Sequence, residues 1–359
     1  MDTTTRDAFA DRLFESALGF LDVVTVYIGD RLGLYRTLAD SGPLTPAELA
    51  SITATDERYV REWLEQQAAS GILRVRDPHD DPAARRYGIS PEHAEALADP
   101  ESLSCLAAFM RQMAGTTTML PRLVDAFRSG AGIPYADYGA DVIEGQADVN
   151  RPVFLQLLAR EWLPAVPDVH ARLSSGTPAR VADIGCGGAW SCIAIAQAYR
   201  HAFVDGVDPD GASIELARSN VRAAGLDARI TLHQRDAAEL DISRPYDLVL
   251  SFESIHDLAR PVDVLRTMRR LAADDGAVII VDERTADTFA APADATDRLF
   301  YGWSVLLCLP NGRTETPSAA TGTVMRPATL DRYAREAGFS RSEVLPVEHP
   351  TFRLYRLWQ

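Results

Sequence analysis

The chain has 359 residues, of which 47% are hydrophobic, and a formal net charge of −15. Its length and apolar content suit two domains with cores of their own, and its acidic balance speaks against a nucleic-acid surface, which needs concentrated positive charge. No run of about 18 apolar residues occurs, so no membrane span is expected. The opening residues lack the basic flank of a secretory leader, and Cys105, Cys186, Cys192 and Cys308 form no C-x-x-C pair. A reduced, cytoplasmic protein is expected.

In chain order, "FADRLFESALGFLDVVTVYIGDRLGLYRTL" carries apolar residues at helical spacing with little polar relief. Such a helix must bury most of its circumference, and a second copy of the chain is the simplest cover, so a homodimer through the N-terminal domain is expected. Next, "LTPAELASITATDERYVREWLEQQAASGILRV" reads as a helix, a turn, a second helix from about Asp56 to Ser70 and a strand. "DPHDDPAARRYGIS" follows as a wing, completing a winged-helix pattern. A winged helix often reads DNA through its second helix. Here that helix sets Asp56, Glu57, Glu62 and Glu65 against Arg58 and Arg61, and only Arg85 and Arg86 of the wing argue the other way. A scaffolding or dimerisation role is the stronger expectation.

The expected division is a winged-helix and dimerisation domain over 1–100, a helical linker and lid over 101–175, and a catalytic domain over 176–359. Within the linker, "SGAGIPYADYGADVIEGQADVNRP" is a loop, and its Tyr135 and Tyr138 either pack or cover an acceptor pocket. From Ala179 onward short β-branched runs alternate with helical segments, which implies an α/β, Rossmann-like doubly wound parallel sheet with ligands at the carboxyl ends of the strands. The last two strands, "SEVLPVEH" and "FRLYRLW", are separated by a very short turn at Pro350 and should form an antiparallel hairpin.

The turn "DIGCGGAW" follows the first of these strands. A dinucleotide fingerprint would need a third glycine where Trp190 stands, and a P-loop would need a Gly-Lys-Ser/Thr that is absent. What remains is D-x-G-x-G: Asp183, Gly185 and Gly187, with Gly188 adding freedom. This segment resembles motif I of class I S-adenosylmethionine-dependent methyltransferases, with Ala189 in place of that motif's third glycine. The likeness extends through the C-terminal half, hairpin included. It implies S-adenosylmethionine as cofactor and S-adenosylhomocysteine as product. Asp183 is then expected to meet the ligand's ammonium, Asp208 the ribose hydroxyls, Asp236 the adenine amine, and the Ala237 N–H the adenine ring.

After the fourth strand, "SFESIHDLARP" resembles small-molecule O-methyltransferases, in which a His-Asp pair follows this strand and the histidine deprotonates the acceptor hydroxyl. The matching residues are His256 and Asp257; the alternative for His256 is a cap for the helix starting near Pro261. Those relatives keep a glutamate that holds the histidine, whereas Met325 stands at the corresponding place, and Glu253 or Glu283 is a candidate substitute. Glu253 is also counted among the cofactor-binding residues. Some relatives hold iron through His-Asp and a second histidine, but only His349 follows His256, so no metal is expected. The long segment before the last helix should fold over the site, with Tyr301 and Trp303 as candidate pocket walls or core residues.

Together these features resemble dimeric natural-product methyltransferases, among them an actinobacterial group sharing "IPYADYG" and "YGWSVLLCLP". The expected function is methylation of a small, hydroxyl-bearing, partly aromatic acceptor with His256 as base, without nucleic acid or membrane as partner. The alternatives are C- or N-methylation of a small acid or keto acid, and a winged-helix regulator that senses S-adenosylmethionine and binds DNA.

Overall fold

The computed structural model describes residues 3–240 and 245–359. The chain divides into two compact units, Met1–Thr117 and Thr118–Gln359. The helices anticipated over 101–175 are shared between them.

The first unit begins with α1 (Thr3–Arg31) and continues through α2 (Leu34–Ser41), α3 (Pro46–Thr53) and α4 (Glu57–Ala69). The antiparallel pair β1 (Arg74–Val75) and β2 (Tyr87–Gly88) forms the wing, followed by α5 (Pro91–Ala98) and α6 (Ala107–Thr116). Local sequence sets the helix starts. Thr45 and Glu48 make a reciprocal capping box on α3, and Asp56 accepts from the N–H groups of Arg58 and Tyr59 at the head of α4. Leu34, Tyr35, Leu38, Leu49, Val60, Leu64 and Tyr87 fill a small core. The wing arginines are already paired: Arg85 with Glu65 at 3.0 Å and Arg86 with Glu48 at 2.7 Å. Most of α1 has no such cover within the chain. Phe9, Leu13, Phe14 and Leu21 are all more than half exposed.

The second unit opens with α7 (Leu120–Ser129), α8 (Ala140–Val153) and a π-helical continuation, Phe154–Trp162, before α9 (Pro167–Ser174). The strands and helices then alternate: β3 (Ala179–Ile184), α10 (Trp190–Ala198), β4 (Ala202–Asp208), α11 (Gly211–Ala223), β5 (Ile230–Gln234), β6 (Tyr246–Phe252), α12 (Pro261–Leu271) and β7 (Ala272–Glu283). A continuous helical stretch follows, made of α13 (Ala295–Trp303), a π-helical turn Ser304–Cys308 and α14 (Leu309–Gly312). The chain closes with α15 (Pro327–Glu336), β8 (Arg341–Val344) and β9 (Phe352–Trp358). The sheet order is β5-β4-β3-β6-β7-β9-β8, with β3 to β7 mutually parallel and β9 antiparallel to both its neighbours.

Strand side chains alternate between faces. Val181, Leu248, Leu250 and Ile279 pack on one core with Ile193 and Ile214 from α10 and α11. Ala182, Val249, Val278 and Ile280 pack on the other with Leu265 and Leu330 from α12 and α15. Burial on both faces explains why these strands read as nearly unbroken apolar runs. The antiparallel hairpin forms, but its connection is longer than a tight turn at Pro350. β8 ends at Val344 and β9 starts at Phe352. Pro346 and Pro350 cannot donate to a ladder; beyond β8 the pairing is carried on by the Leu345 N–H, which bonds to the Leu354 carbonyl at 2.8 Å.

Gly185 occupies the left-handed region (φ +77°), and a Cβ there would lie 2.7 Å from Ser254 Cβ and Oγ. Both strain and collision follow from adding one methyl. Gly185→Ala is therefore expected to cost about 2 kcal/mol or more in denaturant unfolding; an unchanged midpoint would contradict this packing.

Candidate active site

The carboxyl edge of the sheet gathers chemistry from five adjacent strands. After β3 the chain bends through Gly185, Gly187 and Ala189, all with positive φ, and enters α10. Ala189 thus holds a conformation glycine adopts freely, at the helix N-cap and wholly buried. Asp183 is fully buried; its Oδ2 accepts from Ser191 Oγ and from Cys192 Sγ, both in the first turn of α10. Its Oδ1 has no hydrogen-bond partner. Asp183 therefore pins the turn to the helix and leaves one oxygen able to accept a further hydrogen bond.

Asp208, at the end of β4, accepts from the Gly187 N–H and from the Asp210 N–H, both at 2.9 Å. The two glycine-turn and strand-end motifs are thus one unit. Burial pushes the carboxyls of Asp183 and Asp208 up to about 6. Asp236, just beyond β5, accepts from the Ala238 N–H at 2.8 Å and from Arg260 at 2.7 Å. Ala237 is buried at the same corner. Arg260 also faces Glu315 at 3.2 Å, a contact that sequence reasoning did not anticipate.

His256 lies in a short turn, Ile255–Asp257, beyond β6, and is 1% exposed. It does not cap α12, whose N-cap is Arg260. Its Nδ1 is 2.7 Å from Asp282 Oδ1 and 3.0 Å from Glu283 Oε2, both at the end of β7. Glu283, one of the two candidate substitutes, thus stands where a holding acid is needed, with Asp282 beside it. Met325 is 2% exposed and packed in the core beneath. Burial alone would drive the ring's pKa down, but Asp282, then Glu283 and Asp257, outweigh it and hold the pKa well above the usual value. Asp282 is held low by the ring despite its burial, whereas burial drives Glu283 well above the carboxylate range. The ring and Asp282 thus favour each other's charged forms, while burial disfavours the charged form of Glu283.

Glu253 follows β6 in a left-handed conformation (φ +48°). Its carboxyl accepts from Gln146 of α8 at 3.0 Å, and burial pushes it up to about 7. On the other edge of His256, Nε2 is 3.4 Å from Asp257 Oδ1. The buried thiol of Cys308 completes this side: donor atoms of His256, Asp257 and Cys308 all lie within 4.8 Å of one another.

The aromatic candidates separate. Tyr138 is buried and donates to the Leu306 carbonyl at 2.8 Å, a packing role. The Tyr135 phenol is held well above its usual pKa by burial, then by the charges of Asp208 and Asp257. Tyr301 is 36% exposed and its hydroxyl accepts from Arg326, away from that cluster. Trp303 packs against the Leu123–Ile133–Tyr138 core. Cys308, Asp282 and Gln146 were missed. A lone cysteine, a strand-end acid and a mid-helix glutamine carry no spacing signal.

Residues 176–320 match the model of a methyltransferase domain, and residues 21–99 that of an Rv2258c-like winged HTH domain. The chain is 25% identical over 180 residues to the ubiquinone biosynthesis O-methyltransferase of Stutzerimonas stutzeri, spanning 50% of this chain and 72% of that one. The chain is a class I S-adenosylmethionine-dependent methyltransferase. Among solved structures, human N-acetylserotonin methyltransferase in complex with S-adenosylmethionine superposes with a TM-score of 0.67 at 16% identity, covering 98% of this chain and 97% of that one. The N,N-8-amino-8-demethyl-D-riboflavin dimethyltransferase of Streptomyces davawensis gives 0.61 at 20% identity, covering 98% and 99%. At such identities the two likenesses speak for the fold alone.

S-adenosylmethionine is the methyltransferase's cofactor. An ionised Asp208 can accept both ribose hydroxyls while its backbone donors stay in place; a protonated one loses acceptor capacity. With a pKa raised to about 6, affinity for S-adenosylhomocysteine should be full above neutrality and fall as pH drops through about 6. Asp208→Asn should bind at least about tenfold more weakly at pH 8. Calorimetry across pH 5–8 checks both, and equal affinity for the variant would remove Asp208 from the site.

Proposed function

We propose that this methyltransferase transfers the methyl group to a hydroxyl of a small, partly aromatic, natural-product-like acceptor, with His256 taking the acceptor's proton at Nε2. The observation that carries this reading is the 2.7 Å contact between His256 Nδ1 and Asp282 in a buried setting. A proton held at Nδ1 leaves the Nε2 lone pair as the basic site, and the acids at Nδ1 stabilise the imidazolium that forms. Asp183, Asp208, Asp236, the Ala237 N–H and Glu253 are proposed to seat the donor, with Asp257 beside the reacting oxygen. The displacement itself is in-line, so orientation of donor and acceptor supplies most of the acceleration. The likeness to an O-methyltransferase of ubiquinone biosynthesis supports oxygen as the acceptor atom.

His256→Ala should keep its affinity for S-adenosylhomocysteine and lose about 10²–10⁴ in turnover. The ring's pKa is raised, so the neutral, basic form grows as pH rises. Turnover should climb through the neutral-to-alkaline range, and Asp282→Asn should move that climb to lower pH with a lower plateau. Product mass spectrometry with labelled donor, across phenols, acids and keto acids, reads both; full turnover in His256→Ala would end the base role.

We also propose a homodimer joined through α1. Phe9, Leu13, Phe14, Phe20 and Leu21 are each at least half exposed in the single chain, more apolar area than a solvated helix carries. No described helix is long and apolar enough to cross a membrane. Four free thiols fit a reducing compartment, and the enzyme is read as cytoplasmic. Sedimentation velocity should give a dimer for the wild type and a monomer for a Phe14→Asp, Leu21→Asp variant; a wild-type monomer would contradict the pairing.

A further inference from the structure

His256 has two sides, and the mechanism above orients the ring through the acids of one. On the Nδ1 side, Asp282 fixes the ring by a hydrogen bond at 2.7 Å, and Glu283 Oε2 lies 3.0 Å from the same nitrogen. On the Nε2 side, three donors of different chemistry converge: the ring nitrogen, the Asp257 carboxylate and the Cys308 thiol. Asp257 Oδ1 is 3.4 Å from Nε2, too long for a strong hydrogen bond, and is buried with no hydrogen-bond partner. Cys308 is presented by a π-helical turn, a rare local geometry that often marks a functional position.

We propose that His256 Nε2, Asp257 Oδ1 and Cys308 Sγ form a binding site for a thiophilic divalent cation of the zinc class, which shuts off the proton-accepting role of His256 when bound. Metal–ligand distances of about 2.0–2.3 Å in a tetrahedral site put its ligands roughly 3.3–3.8 Å apart. The Nε2–Oδ1 separation of 3.4 Å already falls there, and all three donor atoms lie within 4.8 Å of one another. One imidazole, one carboxylate and one thiolate are a donor set zinc accepts, with a fourth position left open. The acids on Nδ1 then act as the outer carboxylates that commonly orient a metal-binding histidine. His256, Asp282 and Glu283 also cluster closely, but Nδ1 is already committed to Asp282 Oδ1, so the ion belongs on the opposite edge.

Binding is written as cation plus Cys308 thiol plus His256 ring giving the thiolate complex; the thiol proton, and any Nε2 proton, leave to solvent. The ion occupies the lone pair that would receive the acceptor's proton. The regulatory part of the proposal therefore rests on the base reading of His256, whereas the binding part does not.

The test uses the full-length protein, stripped by a chelator and dialysed. Cobalt(II) serves as the spectroscopic probe, because thiolate ligation gives a near-ultraviolet charge-transfer band. A band saturating at one equivalent is expected in the wild type and absent in Cys308→Ser, with S-adenosylhomocysteine binding as the folding control. No band, or one that survives Cys308→Ser, overturns the site. In the second arm, saturating zinc should lower wild-type methyl transfer at least tenfold relative to the stripped enzyme, and Cys308→Ser should show no such loss against its own stripped rate. A cobalt band with unchanged turnover would keep the cation site and remove His256 as base.

Discussion

The buried contact between His256 and the acids at the end of β7 is the constraint around which the catalytic unit is arranged. A histidine that is 1% exposed is tolerable only if its polar atoms are paired, and removing one partner of a buried ion pair typically costs about 3–5 kcal/mol. Asp282 and Glu283 supply that pairing because β6 and β7 are parallel neighbours whose carboxyl ends are level. The same sheet edge carries the Asp183 turn and Asp208 one and two strands away. The proposed donor seat and proton acceptor would therefore be consequences of one strand order rather than of separate local motifs.

Around that edge the protein places acids in three different states. Asp208 spends its oxygens on backbone donors of the glycine turn, Asp236 on Arg260, and Asp282 on the ring of His256. Each is fixed before any ligand arrives, so little reorganisation is left for the moment of reaction. Asp257 places a buried oxygen without a hydrogen-bond partner 3.4 Å from Nε2. On the proposed reading that placement draws a cation to the Nε2 side of the ring, and a proton and a metal ion compete for it.

Much of this was legible in the sequence. The glycine turn, the strand-end aspartates and the His-Asp pair are local signals, and the alternation of β-branched runs with helices gave the sheet. The helix expected from about Asp56 forms, with Asp56 as its N-cap. What could not be read were groups brought together by long-range pairing. Met325 signalled that a holding acid was absent from its usual place, and Glu283 was one of two candidates, but only the register of β7 beside β6 brings it and Asp282 to the ring. Cys308 reaches His256 through the packing of a helix from the long segment before α15, which periodicity does not encode. Nor could sequence choose between packing and lining for the aromatic candidates: Tyr135, Tyr138 and Trp303 all meet in one satellite core.

The most direct measurement is nitrogen-15 and proton NMR of histidine-labelled protein. A proton on His256 Nδ1, far downfield and lost in Asp282→Asn, is the expected result. A His256 whose Nδ1 carries no proton in the wild type would contradict the clamp and, with it, the assignment of Nε2 as the basic site.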